Sequence, residues 1–245
     1  IRDRDRSVNY RACHGIAIKI GTFFFWRFRQ RAVKPSDVCQ KDIHFVSSTE
    51  FERTPLLGLS QPELEEAITA LQLPRFRARQ LWRWVWRHGV TEFSDMTDLG
   101  KPVQTLLAAH FHADRPVVSR RQDSSDGTIK WLLRLHDGHE MEAVYIPDAD
   151  RGSLCISSQV GCTLTCTFCH TGTQRLIRNL SVAEICGQIL LAMDELGDWP
   201  AGKPNRRLTN IVLMGMGEPL YNYDNVSAGR IDVYAGAVRP SVELL

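Results

Sequence analysis

The feature that most constrains this chain is a loop that carries three cysteines within eight residues. Cys162, Cys166 and Cys169 follow the pattern C-x-x-x-C-x-x-C. Thiolates are soft ligands, and this close spacing lets one loop surround one inorganic centre. Three ligands with an open fourth position favour a [4Fe–4S] cluster that leaves one iron free for a substrate. A structural zinc site would need a fourth protein ligand, and His170 directly follows Cys169, which is poor geometry for a shared chelate. A zinc knuckle and three unrelated buried thiols remain the alternatives.

A second stretch combines a short apolar run with a glycine-rich turn. Residues 211–214 read Ile-Val-Leu-Met, which is typical of a buried strand, and Gly-Met-Gly-Glu-Pro follows at once. Glycines at the end of a strand let the backbone approach a ligand closely, and a carboxylate there is well placed to hold an ammonium group. Taken alone, the pattern fits a simple turn. After the cysteine loop it resembles the S-adenosylmethionine-binding element of radical-SAM enzymes, which implies that Gly217 and Glu218 bind this cofactor.

Several ordered motifs narrow the resemblance. Together they closely resemble the RlmN type of dual-specificity RNA methyltransferase, which methylates C2 of an adenine in 23S rRNA and in some tRNAs. The resemblance runs from about Leu56 to about Val226. The motifs are SSDGTIKW at 124–131, EAVYIP at 142–147, LCISSQVGC at 154–162, FCHTGTQ at 168–174 and RNL at 178–180.

The resemblance also implies roles for individual residues. The three loop cysteines would hold the cluster, and the reaction would use two S-adenosylmethionine molecules. An electron donor such as flavodoxin would reduce the cluster. Glu142 matches the glutamate that acts as a base near the adenine, although Glu140 has the same strand parity and spacing alone does not separate the two. Cys155 matches the cysteine that attacks a thioether and releases the product through a disulfide bond.

Composition sets looser bounds. Hydrophobic residues make up 43% and charged residues 24% of the chain, as in ordinary soluble globular proteins. The net charge is only +2, so any RNA-binding surface must be a local basic patch. Seven cysteines, three of them clustered, indicate a reducing compartment and a metal centre instead of a disulfide framework. The cysteine usage therefore predicts a cytoplasmic protein. We also expect a monomer that does not associate with a membrane.

The first half of the matched region reads as helices. Ser60 and Glu63 form a capping box for a first helix, a second helix covers 75–88 with Gly89 as its stop, and a third covers 99–111. In the second helix five arginines interleave with three tryptophans. This pattern fits phosphate binding with base stacking, and it equally fits an amphipathic helix with a tryptophan core face and a solvated arginine face. The resemblance implies an accessory RNA-binding domain here.

Strands and a crossover helix follow. Strands are predicted at 116–121, 128–135 and 140–146, joined by Asp-Gly hairpin turns. A strand at 154–159, a helix capped by Ser181 and a strand at 208–214 predict a parallel pair with a crossover. We therefore expect an α/β protein: a partial radical-SAM (β/α) barrel, incomplete here, preceded by a small helical domain and a short β-hairpin region. The predicted parts are an unassigned extension at 1–54, the helical domain at 55–115, the hairpins at 116–150, the barrel portion at 151–226 and a tail at 227–245.

The two ends of the chain do not match the family. An apolar-aromatic patch at 16–28 is too short to span a bilayer. No cysteine follows Cys186, so the downstream cysteine that carries the methyl group in the family is missing. We expect a truncated chain that does not complete methyl transfer alone. The rival hypotheses are a Cfr-type enzyme that methylates adenine C8, a radical-SAM enzyme of another kind, and a non-catalytic fragment that binds RNA or metal.

Overall fold

Helices come first in the described part of the chain, which comprises residues 53–149, 151–236 and 241–242 of the computed structural model. All of these residues lie within the unit Thr49–Leu245. The α-helices of the described residues are α1 (Gln61–Ala70), α2 (Phe76–His88), α3 (Lys101–His110), α4 (Val182–Leu196) and α5 (Tyr223–Gly236).

Local sequence signals set the bounds of α1 and α2. The Ser60 side chain accepts a hydrogen bond from the Glu63 amide while the Glu63 carboxylate accepts one from the Ser60 amide, so the predicted capping box is confirmed. At the other end of α2, Gly89 adopts a left-handed φ of +71°, which is the predicted helix stop. The third helix is confirmed as well, with bounds one or two residues inside the prediction.

The tryptophans of α2 belong mainly to the core. Trp82 and Trp86 are buried, with ring centroids 5.3 Å apart, and they pack in the same apolar cluster as Leu81 and Val85. Trp84 is half-buried, and its indole N–H donates to the Asp98 carboxylate. The structure therefore favours the amphipathic interpretation for the tryptophans, because buried indoles cannot stack on bases.

One six-stranded sheet runs through the rest of the described chain. Its order is β10-β9-β6-β5-β4-β3, with antiparallel pairing from β3 to β6 and parallel pairing among β6, β9 and β10. The predicted domain boundary at residue 150 falls inside this sheet, between paired strands. The strands are β1 (Thr54–Pro55), β2 (Phe111–His112), β3 (Val117–Asp123), β4 (Ile129–Arg134), β5 (Glu140–Asp148), β6 (Arg151–Cys155), β7 (Gln159–Val160), β8 (Arg178–Asn179), β9 (Asn210–Val212) and β10 (Ser241–Val242).

The predicted parallel pair with a crossover is confirmed. Strand β6 pairs in parallel with β9, and α4 lies between them along the chain, begun by a capping box of Ser181 and Glu184 and ended by Gly197. Most of α4 is buried, and it carries the fully buried polar side chain of Gln188. The mixed α/β class follows from this arrangement, while the partial barrel stays a prediction.

Two strand predictions were too long. The strand expected at 154–159 ends at Cys155, because the backbone N–H and C=O of Ser157 bond to the Gln188 side chain instead of to a neighbouring strand. The strand expected at 208–214 covers only Asn210–Val212. Its flanking amide at Leu208 donates to the Asp198 carboxylate, which holds that residue outside the ladder.

No helix of the described residues is long and apolar enough to cross a membrane. The apolar-aromatic patch at 16–28 lies outside the described residues, and so do Cys13 and Cys39.

Candidate active site

The candidate site lies where β6 and β9 end. Cys155 is the last residue of β6 and pairs in register with Val144 on β5 and Val212 on β9. The cysteine loop follows β6 by way of the short strand β7, and the Gly217–Glu218 turn follows β9. Because parallel strands end at the same edge of a sheet, the two segments meet there.

The cysteine loop is tightly turned and its sulfurs are chemically available. Cys162, Cys166 and Cys169 are free thiols of intermediate exposure. The Leu164 amide donates to the Cys162 sulfur at 3.4 Å. Backbone hydrogen bonds from Gly172, the largest influence, hold the pKa of the Cys169 thiol below its usual value, which favours the thiolate that metals bind.

The donor set fits an iron–sulfur cluster by its chemistry. Three soft thiols lie on one eight-residue loop and none of them forms a disulfide. Within the described ranges, however, no three His, Cys, Asp or Glu side chains are gathered as a metal site requires. The loop therefore supplies the right ligands without holding them around one point.

The Gly217–Glu218 turn offers a carboxylate beside a close backbone approach. Gly217 has a φ of +97°, and a Cβ there would lie 2.5 Å from the Cβ of Gln159. The half-buried Glu218 side chain accepts a hydrogen bond from the Leu220 amide at 3.1 Å, which fixes its direction and starts the short 3-10 turn Pro219–Asn222. A fixed, half-buried carboxylate suits an ammonium ligand.

The structure distinguishes the surroundings of the two candidate glutamates on β5. Glu142 forms an ion pair with Lys130, with 2.6 Å between Nζ and Oε1, and both side chains are 40% exposed. Its backbone carbonyl accepts a 2.6 Å hydrogen bond from the Ser157 hydroxyl, just beyond the end of β6. Glu140 pairs with Arg134 and has no such connection. Glu142 is thus the glutamate linked to the site, and its role as a base stays a prediction.

Cys155 is held in its thiol form. Burial, the largest influence, raises the pKa of its thiol, and a hydrogen bond from the Met214 backbone opposes that rise only in part. Cys155 is unbonded to another cysteine, as are the other cysteines of the described residues. The disulfide that the resemblance implies is therefore not seen there.

Sequence reasoning missed the polar residues that assemble the site. Ser157, Gln159 and Gln188 have no exposed surface, and Asn222 is only 4% exposed. The Ser157 hydroxyl donates to the Glu142 carbonyl and accepts from the Met216 amide at 2.9 Å, so it joins the glutamate strand to the turn after β9. A possible signal was the Ser-Ser-Gln run directly after an apolar strand, where polar residues need buried partners.

Comparisons with known proteins show which proteins this chain is similar to. A family model described as the ribosomal RNA large subunit methyltransferase N-terminal domain, RlmN_N, matches residues 54–112. Dual-specificity RNA methyltransferase RlmN of Rhizorhabdus wittichii is 57% identical over 178 residues, which are 71% of this chain and 44% of that protein. The protein of the same name from Rhodospirillum rubrum is 58% identical over 173 residues, covering 70% and 40% of the two chains.

A solved structure is similar over the same region. It is a radical SAM methyltransferase from Sphaerobacter thermophilus, with a TM-score of 0.68 and 37% identity. The match covers 74% of this chain and 52% of that one. The chain thus spans less than half the length of the two curated relatives and about half of the solved chain.

Proposed function

We propose that the matched part of this chain, which belongs to the RlmN family of RNA methyltransferases, forms the cofactor-binding part of a radical-SAM enzyme that acts on adenine in RNA. The observation that carries the proposal is the meeting of two segments at one sheet edge. A loop of three free thiols follows β6, and a fixed carboxylate follows β9. The thiols suit an iron–sulfur cluster, and the carboxylate suits the ammonium group of S-adenosylmethionine.

The proposed cofactor roles divide between the two segments. Cys162, Cys166 and Cys169 hold the [4Fe–4S] cluster, and Glu218 accepts hydrogen bonds from the ammonium group of S-adenosylmethionine. Gly217 is the second proposed contact of S-adenosylmethionine, and its missing Cβ lets the turn that carries Glu218 pack directly against Gln159. A bound cluster supplies the electron that cleaves S-adenosylmethionine.

The proposed substrate is C2 of adenine in 23S rRNA and tRNA. Glu142 takes up the proton that leaves the base, and its carboxylate is accessible enough for that role, with 40% of its side chain exposed. Lys130 must part from Glu142 when the adenine enters, because the ammonium occupies one of its oxygens. Cys155 is the proposed thiol for release of the product, and its raised pKa means that it must lose a proton before it acts as a nucleophile. Its partner would be the thioether on the methyl-carrying cysteine, for which this sequence has no residue after Cys186.

The proposed RNA surface is the arginine face of α2. Arg75, Arg79, Arg83 and Arg87 are exposed and follow one another at four-residue intervals, so they line one side of the helix. Arg75 and Arg83 pair with Glu65 and Asp98. Arg79 and Arg87 form no salt bridge within the described ranges, which leaves both guanidinium groups available to phosphate.

Anaerobic reconstitution with iron and sulfide tests the cofactor roles. We expect an EPR signal of a reduced [4Fe–4S] cluster, and 5′-deoxyadenosine when S-adenosylmethionine and a reductant are added. The variant Cys162→Ser should lose both signals. Cys186→Ser, which removes a buried thiol in α4 outside the loop, should keep them. Absence of a cluster in the unmodified chain, or a cluster that survives Cys162→Ser, contradicts the proposal.

A second candidate function is a non-catalytic RNA-binding fragment, favoured by the ungathered thiols. Its signature is RNA binding of equal strength with and without iron, and no cofactor cleavage. Because no cysteine follows Cys186 to carry the methyl group, we expect no methylated adenine from this chain alone. Mass spectrometry of treated RNA checks this expectation. A methyl group on adenine C2 or C8 would contradict it, and its position would distinguish an RlmN-type reaction from a Cfr-type reaction.

A further inference from the structure

One buried side chain connects the two halves of the candidate site. Gln159 stands at the start of β7, between the end of β6 and the cysteine loop, and none of its surface is exposed. A buried primary amide must satisfy two donors and an acceptor, or it destabilises the fold. The partners that satisfy Gln159 come from separate segments.

The amide oxygen of Gln159 accepts from both halves at once. The backbone N–H of Thr163, in the cysteine loop, donates to Oε1 at 3.1 Å. The backbone N–H of Glu218, in the turn after β9, donates to the same oxygen at 3.0 Å. One oxygen atom of Gln159 therefore bridges the cysteine loop and the turn after β9.

The amide nitrogen of Gln159 completes the connection. It donates to the Thr163 hydroxyl at 2.8 Å and to the side-chain carbonyl of Asn179 on β8 at 2.7 Å. Asn179 in turn donates to the backbone carbonyl of Tyr221 at 3.1 Å, in the 3-10 turn that Glu218 begins. The turn is thus tied to Gln159 directly through Glu218 and indirectly through Asn179.

Packing leaves this bridge little freedom. A side chain at Gly217 would lie 2.5 Å from Cβ and 2.7 Å from Cγ of Gln159, so the turn rests directly on the glutamine stem. Glutamine suits the position because it combines an acceptor with two donors and carries no charge. Methionine has a similar length and fills the space, but it offers none of these hydrogen bonds.

We propose that Gln159 is a positioning residue that sets the separation between the cysteine loop and the Gly217–Glu218 turn before any cofactor binds. The meaning of that separation, namely the fit of S-adenosylmethionine against the cluster, rests on the proposed function. The hydrogen bonds of Gln159, which we call the bridge, are present in the cofactor-free chain. The bridge and the proposed function can therefore be tested separately.

The test compares Gln159→Met with Gln188→Met by hydrogen exchange of the cofactor-free protein. Both glutamines are fully buried, but the Gln188 side chain bonds to the backbone of Ser157 and Glu184 and not to either half of the site. In Gln159→Met we expect the Thr163 and Glu218 amides to exchange about tenfold faster, as the loss of one hydrogen bond predicts. In Gln188→Met the exchange rates of these two amides should stay closer to those of the unmodified protein, even where overall stability falls.

Equal protection of the two amides in the unmodified protein and in Gln159→Met overturns the proposal. Equal loss in both variants also overturns it, because the effect is then general destabilisation. Should Gln159→Met fail to fold, Asn179→Ala removes the indirect link from an exposed residue, namely the hydrogen bond that Asn179 accepts from Gln159 and the one that it donates to Tyr221, and leaves the direct bonds of Gln159 to Thr163 and Glu218. We expect a several-fold acceleration confined to residues 215–222, and no change there counts against the bridge.

A binding measurement then examines the consequence. After reconstitution, iron content and S-adenosylmethionine affinity are measured on the same samples. Gln159→Met should retain iron and bind S-adenosylmethionine about tenfold more weakly than the unmodified chain. The loss of affinity should be larger than in Gln188→Met, whose side chain bonds to neither the cysteine loop nor the Gly217–Glu218 turn. If the unmodified chain takes up no iron, the proposed function fails while the exchange result still decides the bridge. Unchanged affinity with faster exchange overturns the positioning role.

Discussion

At the scale of single residues, the site depends on side chains and backbone atoms that hold loops in place. The Ser157 hydroxyl and the Gln159 amide join four segments, namely β5, the cysteine loop, β8 and the turn after β9, through hydrogen bonds of 2.6–3.1 Å. Buried polar groups of this kind are costly when any partner is lost. Small substitutions nearby should therefore have local and measurable effects.

Gly217→Ala should weaken cofactor binding more than it weakens the fold. Its φ of +97° disfavours any side chain, and the new Cβ would press on Gln159 at 2.5 Å. We expect a destabilisation of roughly 1–3 kcal/mol, together with weaker S-adenosylmethionine binding. Urea denaturation and equilibrium dialysis measure the two effects.

Gly138→Ala is the matched control, because Gly138 has a φ of +84° and nothing lies within 4 Å of its missing Cβ. It carries the backbone strain without the clash. Equal loss of cofactor affinity in both variants would show that contact with Gln159 is irrelevant.

Asp137 should contribute stability that disappears in acid. The hydrogen bond from Arg178, with 2.7 Å between Nε and Oδ2, lowers the pKa of Asp137 from 3.8 to about 2. Because the folded-state pKa lies below that of the unfolded chain, the contribution is present above about pH 4 and is lost as the pH falls towards 2. Asp137→Asn should therefore be less stable than the unmodified chain at pH 5, and the difference should shrink by pH 3.

Urea denaturation of the cofactor-free protein at several pH values checks this expectation. Glu66→Gln serves as control, since Glu66 is exposed and makes no ion pair with described residues. A difference between Asp137→Asn and the unmodified chain that stays constant from pH 5 to pH 3 argues against the assignment.

At the scale of elements, α4 supports the site from behind. Its Gln188 holds Ser157 through two hydrogen bonds, and its Glu184 receives paired hydrogen bonds from Arg178 at 2.8 Å. Its first turn is closed by the Ser181 capping box. The position of α4 is thus linked to the residues that join the two site segments.

Ser181→Ala should lower the free energy of unfolding by about 1 kcal/mol, the usual cost of losing such a cap. Ser60→Ala provides the comparison, because α1 has the same capping box and its side chains form no hydrogen bond with the described residues of the site. We expect similar losses of stability in denaturation. Faster hydrogen exchange at Ser157 should follow only Ser181→Ala, and its appearance in both variants would contradict a link through α4.

Elements with local signals were predictable from the sequence. The two capping boxes, the Gly89 and Gly197 stops and the Asp-Gly hairpins depend on residues a few positions apart. The end of β6 at Cys155 was not predictable, because the backbone of Ser157, two residues further on, bonds to Gln188, which is 31 residues away in the sequence. The cysteine spacing and the glycine-glutamate turn indicated the candidate site, but the glutamine that joins them depends on contacts up to 59 residues apart.

At the scale of the whole molecule, charge is distributed locally. The net charge is +2, yet α2 and its N-cap residue Arg75 together present four exposed arginines on one side. Electrostatic binding to RNA depends on such a surface and weakens with added salt, because phosphate contacts release counterions. The arginine face should therefore set the salt dependence of the proposed RNA binding.

The double variant Arg79→Gln and Arg87→Gln should bind RNA more weakly and with a shallower dependence on salt, by about one unit of slope or more. Filter binding between 50 and 200 mM salt measures it, as an order-of-magnitude working range. Arg121→Gln is the control, since Arg121 lies on β3 and is already paired with Asp123 and Glu195. Equal slopes for both variants would remove α2 from the proposed RNA surface.

The mixed sheet has a consequence for how the protein folds. Strands β3 to β6 pair through successive hairpins, whereas β6 meets β9 across about 57 residues. Local pairings form quickly, and distant ones must first close a long loop. During synthesis the cysteine loop therefore emerges on a sheet that can already pair, while the turn that carries Glu218 arrives later with β9. The cysteine loop and the Gly217–Glu218 turn therefore form at different times. Gln159 can bond to Thr163 first, and it gains its hydrogen bond from the Glu218 amide only after β9 has paired.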